Sequence, residues 1–405
     1  MRTRRCCRAY ALPIMMLGLL VPGGQPAGAA VPAPTLYVSV TGNQTTGTDV
    51  SCASARYSSI RAAVQAASRG ATVVVCTGTY QGQVVITRPL ILSGINASVL
   101  AVGAPTGITV AASGVTVQGL IVKGAQGEGI LVAGQPGSGL TDVTIKNNIV
   151  EGNDLGNPAG LPMAGQAYKE CDAASQPVPA LPGDCGEGIH LMAVSGSVVS
   201  GNVVTDNSGG VLLSDQLGPD SHNAVEDNTV EYNTLDGGIT LLGVSGRGSV
   251  AGRPSPAAGG VYDNLVSRNV VIGNGTVGQG AGVLLTSDVP GGAVYGNDIT
   301  GNTVAGSGLA GVTVHSLVAG QDLNANTVQH NTVGQNNLDG DTSFSPHLDL
   351  LASAVVVGTV SPLTITVQGN TLSDDTYGVW STGPAAVLGI GSNIFADIVI
   401  RSAAG

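Results

Sequence analysis

Aromatic side chains are nearly missing from this chain, with nine Tyr, two Phe and one Trp in 405 residues. Such poverty beside 62 Gly excludes a conventional compact core built on large rings, but suits a narrow interior filled by stacked Val, Ile, Leu and Ala. Basic residues are scarce as well. Arg2, Arg4, Arg5 and Arg8 form a positive start, Ala11–Val21 is a short apolar segment, and Ala27-Gly28-Ala29 reads as a cleavage site. With that leader at 1–29 gone, eleven Lys and Arg face 26 acids, a net charge near −15. Nucleic acid and anionic membrane are therefore poor partners. No later run reaches transmembrane length free of polar residues. The reading is a secreted protein, extracellular or periplasmic. Phosphate loops, dinucleotide fingerprints, HExxH and nucleophile elbows are absent; GVSGRG at 243–248 imitates the last without a strand-to-helix turn.

What the chain has in abundance is one repeated phrase: Asn, any residue, Val or Leu, two residues, then usually Asn or Asp. The lead residues are Asn148, Asn202, Asn228, Asn269, Asn302, Asn331 and Asn370, at gaps of 54, 26, 41, 33, 29 and 39. Repeats whose spacing stretches this way have loops of variable length between constant cores. Short alternating β-branched runs such as 143–145, 211–213, 239–241 and 283–285 accompany them, without a helix-length apolar stripe. The Asn phrase marks a corner: its side chain can bond local backbone, tolerate a left-handed conformation and stack between coils. The expectation is an all-β, right-handed parallel β-helix solenoid of three short strands per coil.

The chain divides into a leader at 1–29, a strand and polar loop at 30–56, and the solenoid at 57–405. Residues 57–70 supply a helix capped by Ser58 or Ser59, with Ile60, Ala63, Val64 and Ala67 on its apolar face, suited to covering the solenoid's open end. Trp380 and Phe395 are expected to cover the other. A Pro-rich insertion at 155–187 interrupts the repeats, and shorter bulges follow at 215–224, 243–262 and 337–347. Loops leaving successive coils at one corner would wall a groove. Four cysteines remain after the leader, and spacing suggests Cys52–Cys76 and Cys171–Cys185 bridges in an oxidising compartment, with a metal pair the alternative for the second.

The run YSSIRAAVQAASRGATVVVCTGTYQGQVVITRPLILSG at 57–94 resembles the opening of the pectate-lyase-like right-handed β-helix superfamily, in the form shared by periplasmic copper-associated β-helix proteins. The Asn phrases are similar to that group's parallel β-helix repeat. The resemblance spans roughly 55–400 and implies the fold and export. It leaves chemistry open, because the superfamily includes polysaccharide lyases, glycoside hydrolases, epimerases, esterases and non-catalytic members.

Charge concentrates between 184 and 268. Aligning the strands that follow each Gly pair puts Leu131, His190, Leu212, Thr240, Leu284 and Thr313 in one outward column, and Ala133, Met192, Ser214, Leu242, Thr286 and His315 in the next. His190 is thereby expected at the solvent face. Glu187, Asp215 and Asp236 (with Asp288) are expected on one side of successive coils. Acids one coil apart suit a retaining glycosidase pair and acids two coils apart an inverting pair. The catalytic candidates are Glu187, Asp215, Asp236 and His190. Arg247, Arg253, His222, Glu226 and Glu231 are the candidates for substrate binding. No dedicated metal site is expected; calcium is the cofactor left open, with NNLDGDTS at 336–343 a weak loop for it. The function this favours is a polysaccharide-active enzyme, glycosidase or transferase ahead of calcium-dependent lyase, with the glycan along a lateral groove. The alternative is a non-catalytic carbohydrate-binding or cell-surface protein.

Overall fold

The computed structural model describes residues 34–43, 46, 48–153, 187–245, 259–276, 280–287, 289–316, 318–337 and 352–404. Among these residues, thirty-seven short strands stack coil on coil into sheets of 21, 11 and five strands, and every strand-to-strand pairing is parallel. A complete coil runs through Glu187–Met192, Val194–Ser195, Val198–Ser200 and Val203–Thr205 before Gly209–Ser214 begins the next. The fully formed coil thus has four strands, where the sequence suggested three. The extra one builds the five-stranded sheet, whose members are only two residues long and leave little alternation to detect.

Corners explain the Asn phrase. At each, one residue takes a positive φ, and the next supplies the amide: Asn147 (54°) precedes Asn148, Asp227 (56°) precedes Asn228, and Arg268 (54°) precedes Asn269. The lead Asn is therefore not the left-handed residue; its predecessor is. Freed from turning the chain, the Asn side chain points inward and ties three coils. Asn302 Nδ2 donates to Val266 O of the previous coil at 2.9 Å and to Asn331 Oδ1 of the next at 2.9 Å. Its own Oδ1 accepts from the backbone N–H and Nδ2 of Asn269. The ladder runs Asn148, Asn202, Asn228, Asn269, Asn302, Asn331, Asn370 and Asn393. Two more ladders, through Asn153–Asn207–Asn233–Asn274 and Asn223–Asn264–Asn297–Asn326, occupy other corners. Buried amides are tolerated only with their bonds made, and here each is saturated by the neighbouring coil.

Between corners the interior is a stack of β-branched side chains. Val199, Val225, Val266, Ile299 and Val328 lie in one file, paired coil to coil and at most 1% exposed. The entry to the 11-stranded sheet needs glycine for space. A methyl on Gly188 would strike Val204 and crowd Gly210 O at 3.2 Å, and one on Gly238 would strike Val271 and Gly282 O at 2.7 Å. Gly210, Gly282 and Gly311 stand at the same entry in neighbouring coils and are equally crowded.

At the N-terminal end, helix Ile60–Ala66 is capped by Ser59, which accepts from Ala62 N, and buries Ile60, Ala63 and Val64 against the first coils. Cys52 and Cys76 are joined by a disulfide. At the other end Trp380 meets Tyr377 edge-on at 5.0 Å and Phe395 packs on the core, but Ile394 and Val399 of the last coil face outward, so the covering expected there is incomplete. No helix among the described residues is long and apolar enough to cross a membrane. The leader at 1–29 and nearly all of the insertion at 155–187, including Cys171 and Cys185, lie outside the described residues, as do Arg247, Arg253, Asp288 and positions 338–343.

Candidate active site on the 11-stranded sheet

The expected columns are the observed register. His190 pairs with Leu131 and Leu212, and Ser214 with Met192 and Leu242. Facing outward from the sheet does not make these residues exposed, however: His190 and Ser214 are fully buried. The expectation of a solvent-facing His190 fails because this outer face has an apolar cover of its own, in which Leu131 and Met192 cluster with Ala133 and Leu217.

In that dry setting His190 joins two coils. Its Nε2 lies 2.8 Å from Ser214 Oγ of the next coil, and its Nδ1 lies 3.3 Å from Glu128 Oε1 of the previous one. Glu128 is 2% exposed, and its second oxygen, Oε2, has no hydrogen-bond partner. Glu187 sits one coil on from Glu128, since Gly129 N donates to Glu187 O. One ligand atom from each of Glu128, Glu187 and His190 lies within 4.8 Å of the others, so the three could coordinate a metal. Glu128 was missed from sequence, although its signal was there: GEGI at 127–130 recurs as GEGI at 186–189, placing a second Glu at the same coil position.

Asp236 approaches from the opposite side. The position next to Glu187 in the following coil is Gly209, and a β-carbon there would lie 3.3 Å from Glu187 Cγ and 3.3 Å from Asp236 Cβ. Glu187 and Asp236 thus flank one glycine, two coils apart. Burial raises the Asp236 pKa, and a hydrogen bond from Gly237 N to its Oδ1 offsets this only in part. A carboxyl held towards its protonated form beside a second carboxylate has the asymmetry that acid–base chemistry requires.

Asp215 does not join them. It follows Ser214 at the far end of strand Gly209–Ser214, and its two oxygens take four donors: Val244 N, Ser245 N, Ser245 Oγ and Gly260 N, at 2.6–2.9 Å. Burial pushes its pKa up, and those bonds pull it back. Asp215 ties Val244 and Ser245 to Gly260, which explains an acid at this point without chemistry. The other expected binders are dispersed. His222 is exposed at a corner, 3.7 Å from Asp263, with its ring edge-on to Tyr262 at 5.9 Å. Glu226 pairs with Arg268 at 2.8 Å, and Glu231 lies on strand Thr229–Glu231; both belong to the 21-stranded sheet, away from His190. Arg268 also holds Asp227, whose pKa falls through the hydrogen bond from that guanidinium.

The family described as right handed beta helix region matches residues 93–252. No curated protein sequence matches the chain. Among solved structures, the A-module of Azotobacter vinelandii mannuronan C-5 epimerase AlgE6 is 17% identical, covering 86% of this chain and 92% of its own, with a TM-score of 0.52. The AlgE4 A-module of the same organism is 14% identical over 90% of this chain and 97% of its own, at 0.51. DFA-IIIase from Arthrobacter chlorophenolicus A6, without its lid and in complex with GF2, is 12% identical over 91% and 92%, at 0.52. At such identities the likeness carries fold alone. Parallel coils, Asn-laddered corners and these matches together make this chain a right-handed parallel β-helix of the pectate-lyase-like fold.

Proposed function

We propose that the protein is a polysaccharide-active enzyme that works on the outer face of the 11-stranded sheet. The observation that carries this reading is the pair of carboxylates flanking Gly209, Glu187 on one side and Asp236 on the other. Asp236, its pKa raised by burial, donates a proton to the leaving oxygen, and Glu187 takes the opposite role as base. Both side chains come within 3.3 Å of one point over Gly209, so the two carboxyls can face a single sugar ring, as a glycosidase acid pair must. Glycoside hydrolysis or transfer is accordingly favoured over elimination. The epimerases named above act on mannuronan, which supports a saccharide substrate for this chain too. A sugar ring over the glycine would find both acids at its faces. Export through the 1–29 leader would put the enzyme where polysaccharides are.

A non-catalytic glycan-binding role is the second reading. Tyr262 and Tyr295 stack at 5.1 Å and 8° on the five-stranded sheet, an aromatic ledge remote from the acids. One experiment separates the two: incubation of the full chain with neutral and uronic polysaccharides, with and without calcium, scored for new reducing ends and unsaturated products. Turnover that falls roughly 10²–10⁴-fold in both Asp236→Asn and Glu187→Gln, at an unchanged melting temperature, is the expected result. Glycan binding without turnover would select the second reading, and full activity in both variants would remove the acid pair from the chemistry. Because Asp236 must be protonated to act, activity should decline as pH rises through its elevated pKa.

A further inference from the structure

We propose that Glu128, Glu187 and His190 bind one divalent ion of the imidazole-accepting kind, zinc or its first-row neighbours, in preference to calcium. The site stands on its own geometry and does not depend on the glycan reading.

Four observations converge on it. First, Glu128 is buried with Oε2 unpartnered, and a buried carboxylate oxygen without a donor is costly unless a cation takes the place of one. Second, the Nδ1–Oε1 separation of 3.3 Å is long for a charge-assisted hydrogen bond, which runs about 2.7–2.9 Å. It is instead the edge of a coordination tetrahedron: two ligand atoms about 2.0–2.1 Å from one ion lie about 3.3–3.4 Å apart. Third, the 2.8 Å contact between Nε2 and Ser214 Oγ supplies the outer-shell partner that metal-bound histidines require. With Nε2–H donating to Ser214, the lone pair is on Nδ1 and aims at the two carboxylates. Fourth, one ligand atom from each of the three side chains lies within 4.8 Å of the other two, and all three residues are buried.

The donor set chooses the ion. Calcium takes six to eight oxygens and has little use for nitrogen, whereas one imidazole with two carboxylates suits zinc and leaves one tetrahedral position open. The same three side chains permit a rival arrangement. If Nδ1–H donated to Glu128 and Nε2 accepted from Ser214, the line acid–imidazole–hydroxyl would activate the serine as a nucleophile. The two differ in which histidine nitrogen carries the proton. The long Nδ1 contact and the free Glu128 oxygen favour the ion.

The test is calorimetric titration of chelator-treated full-length protein with zinc chloride alone and with calcium chloride alone. One equivalent of zinc should bind, calcium should bind at least about 100-fold more weakly, and zinc should raise the melting temperature. Glu128→Gln, which keeps size and removes charge, should weaken zinc about 100-fold or more. Ser214→Ala should weaken it about 10–100-fold through the loss of the outer-shell bond. Should Glu128→Gln fail to fold, cobalt in the wild-type protein decides, by the intense visible bands of a four-coordinate ion. Zinc binding that is absent or unaffected by Glu128→Gln, calcium bound as tightly as zinc, or cobalt without those bands would overturn the proposal. So would stoichiometric labelling of Ser214 in the metal-free protein by a fluorophosphonate.

Discussion

At the scale of single residues, identity was easier to read than environment. The columns containing His190 and Ser214 followed from counting along strands, because the side-chain period of two is rigid. Burial did not follow, since outward-facing residues are covered here by neighbours brought in from other coils. Asp375 shows the same split. It occupies the Asn position at the end of a ladder, with Asn336 N donating to Oδ1 at 2.7 Å and Asn336 Nδ2 to Oδ2 at 3.1 Å. Burial, with a smaller push from Asp374, lifts its pKa to about 6 against those bonds. A carboxyl whose pKa is higher folded than unfolded favours the fold while protonated, below about pH 4, and loses that advantage as pH rises through 6. Asp375→Asn should thus stabilise the protein by about 2 kcal/mol near neutral pH and by little at pH 4, as measured by urea unfolding at both values. A gain equal at the two pH values would show that the carboxylate is not desolvated in the way its burial indicates.

Elements came through the sequence where they repeat. The Asn phrase located the corners, yet it assigned the left-handed turn to the Asn when Asn147, Asp227 or Arg268 makes it. Two adjacent polar residues look equivalent in sequence, and only the hydrogen bonds of Asn302 and its column show which faces inward. Glycines at the sheet entry have a steric reason. At Gly238 a methyl would meet Val271, Gly282 O at 2.7 Å and Asn274 Nδ2 at 2.9 Å, all backbone or close-packed groups. Overpacking of this kind costs about 1–3 kcal/mol. Gly238→Ala should lower the melting temperature accordingly, whereas Gly196→Ala, with nothing near its missing β-carbon, tests only the cost of a positive φ of 60°. Equal effects from the two would deny the close approach at Gly238.

For the whole molecule, stability is a sum over coils, each touching only its neighbours. The Cys52–Cys76 disulfide joins residues 24 positions apart in the first coils and restrains the unfolded chain locally, by about 3–4 kcal/mol on the loop-entropy account. Reduction should then accelerate amide exchange around strands Thr35–Val38 and Thr72–Val75, leaving the strands between Val198 and Gly334 protected. Uniform loss of protection would mean one cooperative unit instead. The sequence by itself determined that this protein is a solenoid, where its corners fall and which residues share a column, because those properties depend on short-range periodicity. It also carried the repeated GEGI that puts two acids at one coil position. Tertiary structure alone decided that Asp215 ties Val244 to Gly260, that Glu187 and Asp236 meet across Gly209, and that Glu128 and Ser214 reach His190 from either side. Those meetings join residues of different coils through loops of unequal length, so the distance between them is set by the stacking of coils and not by their separation along the chain.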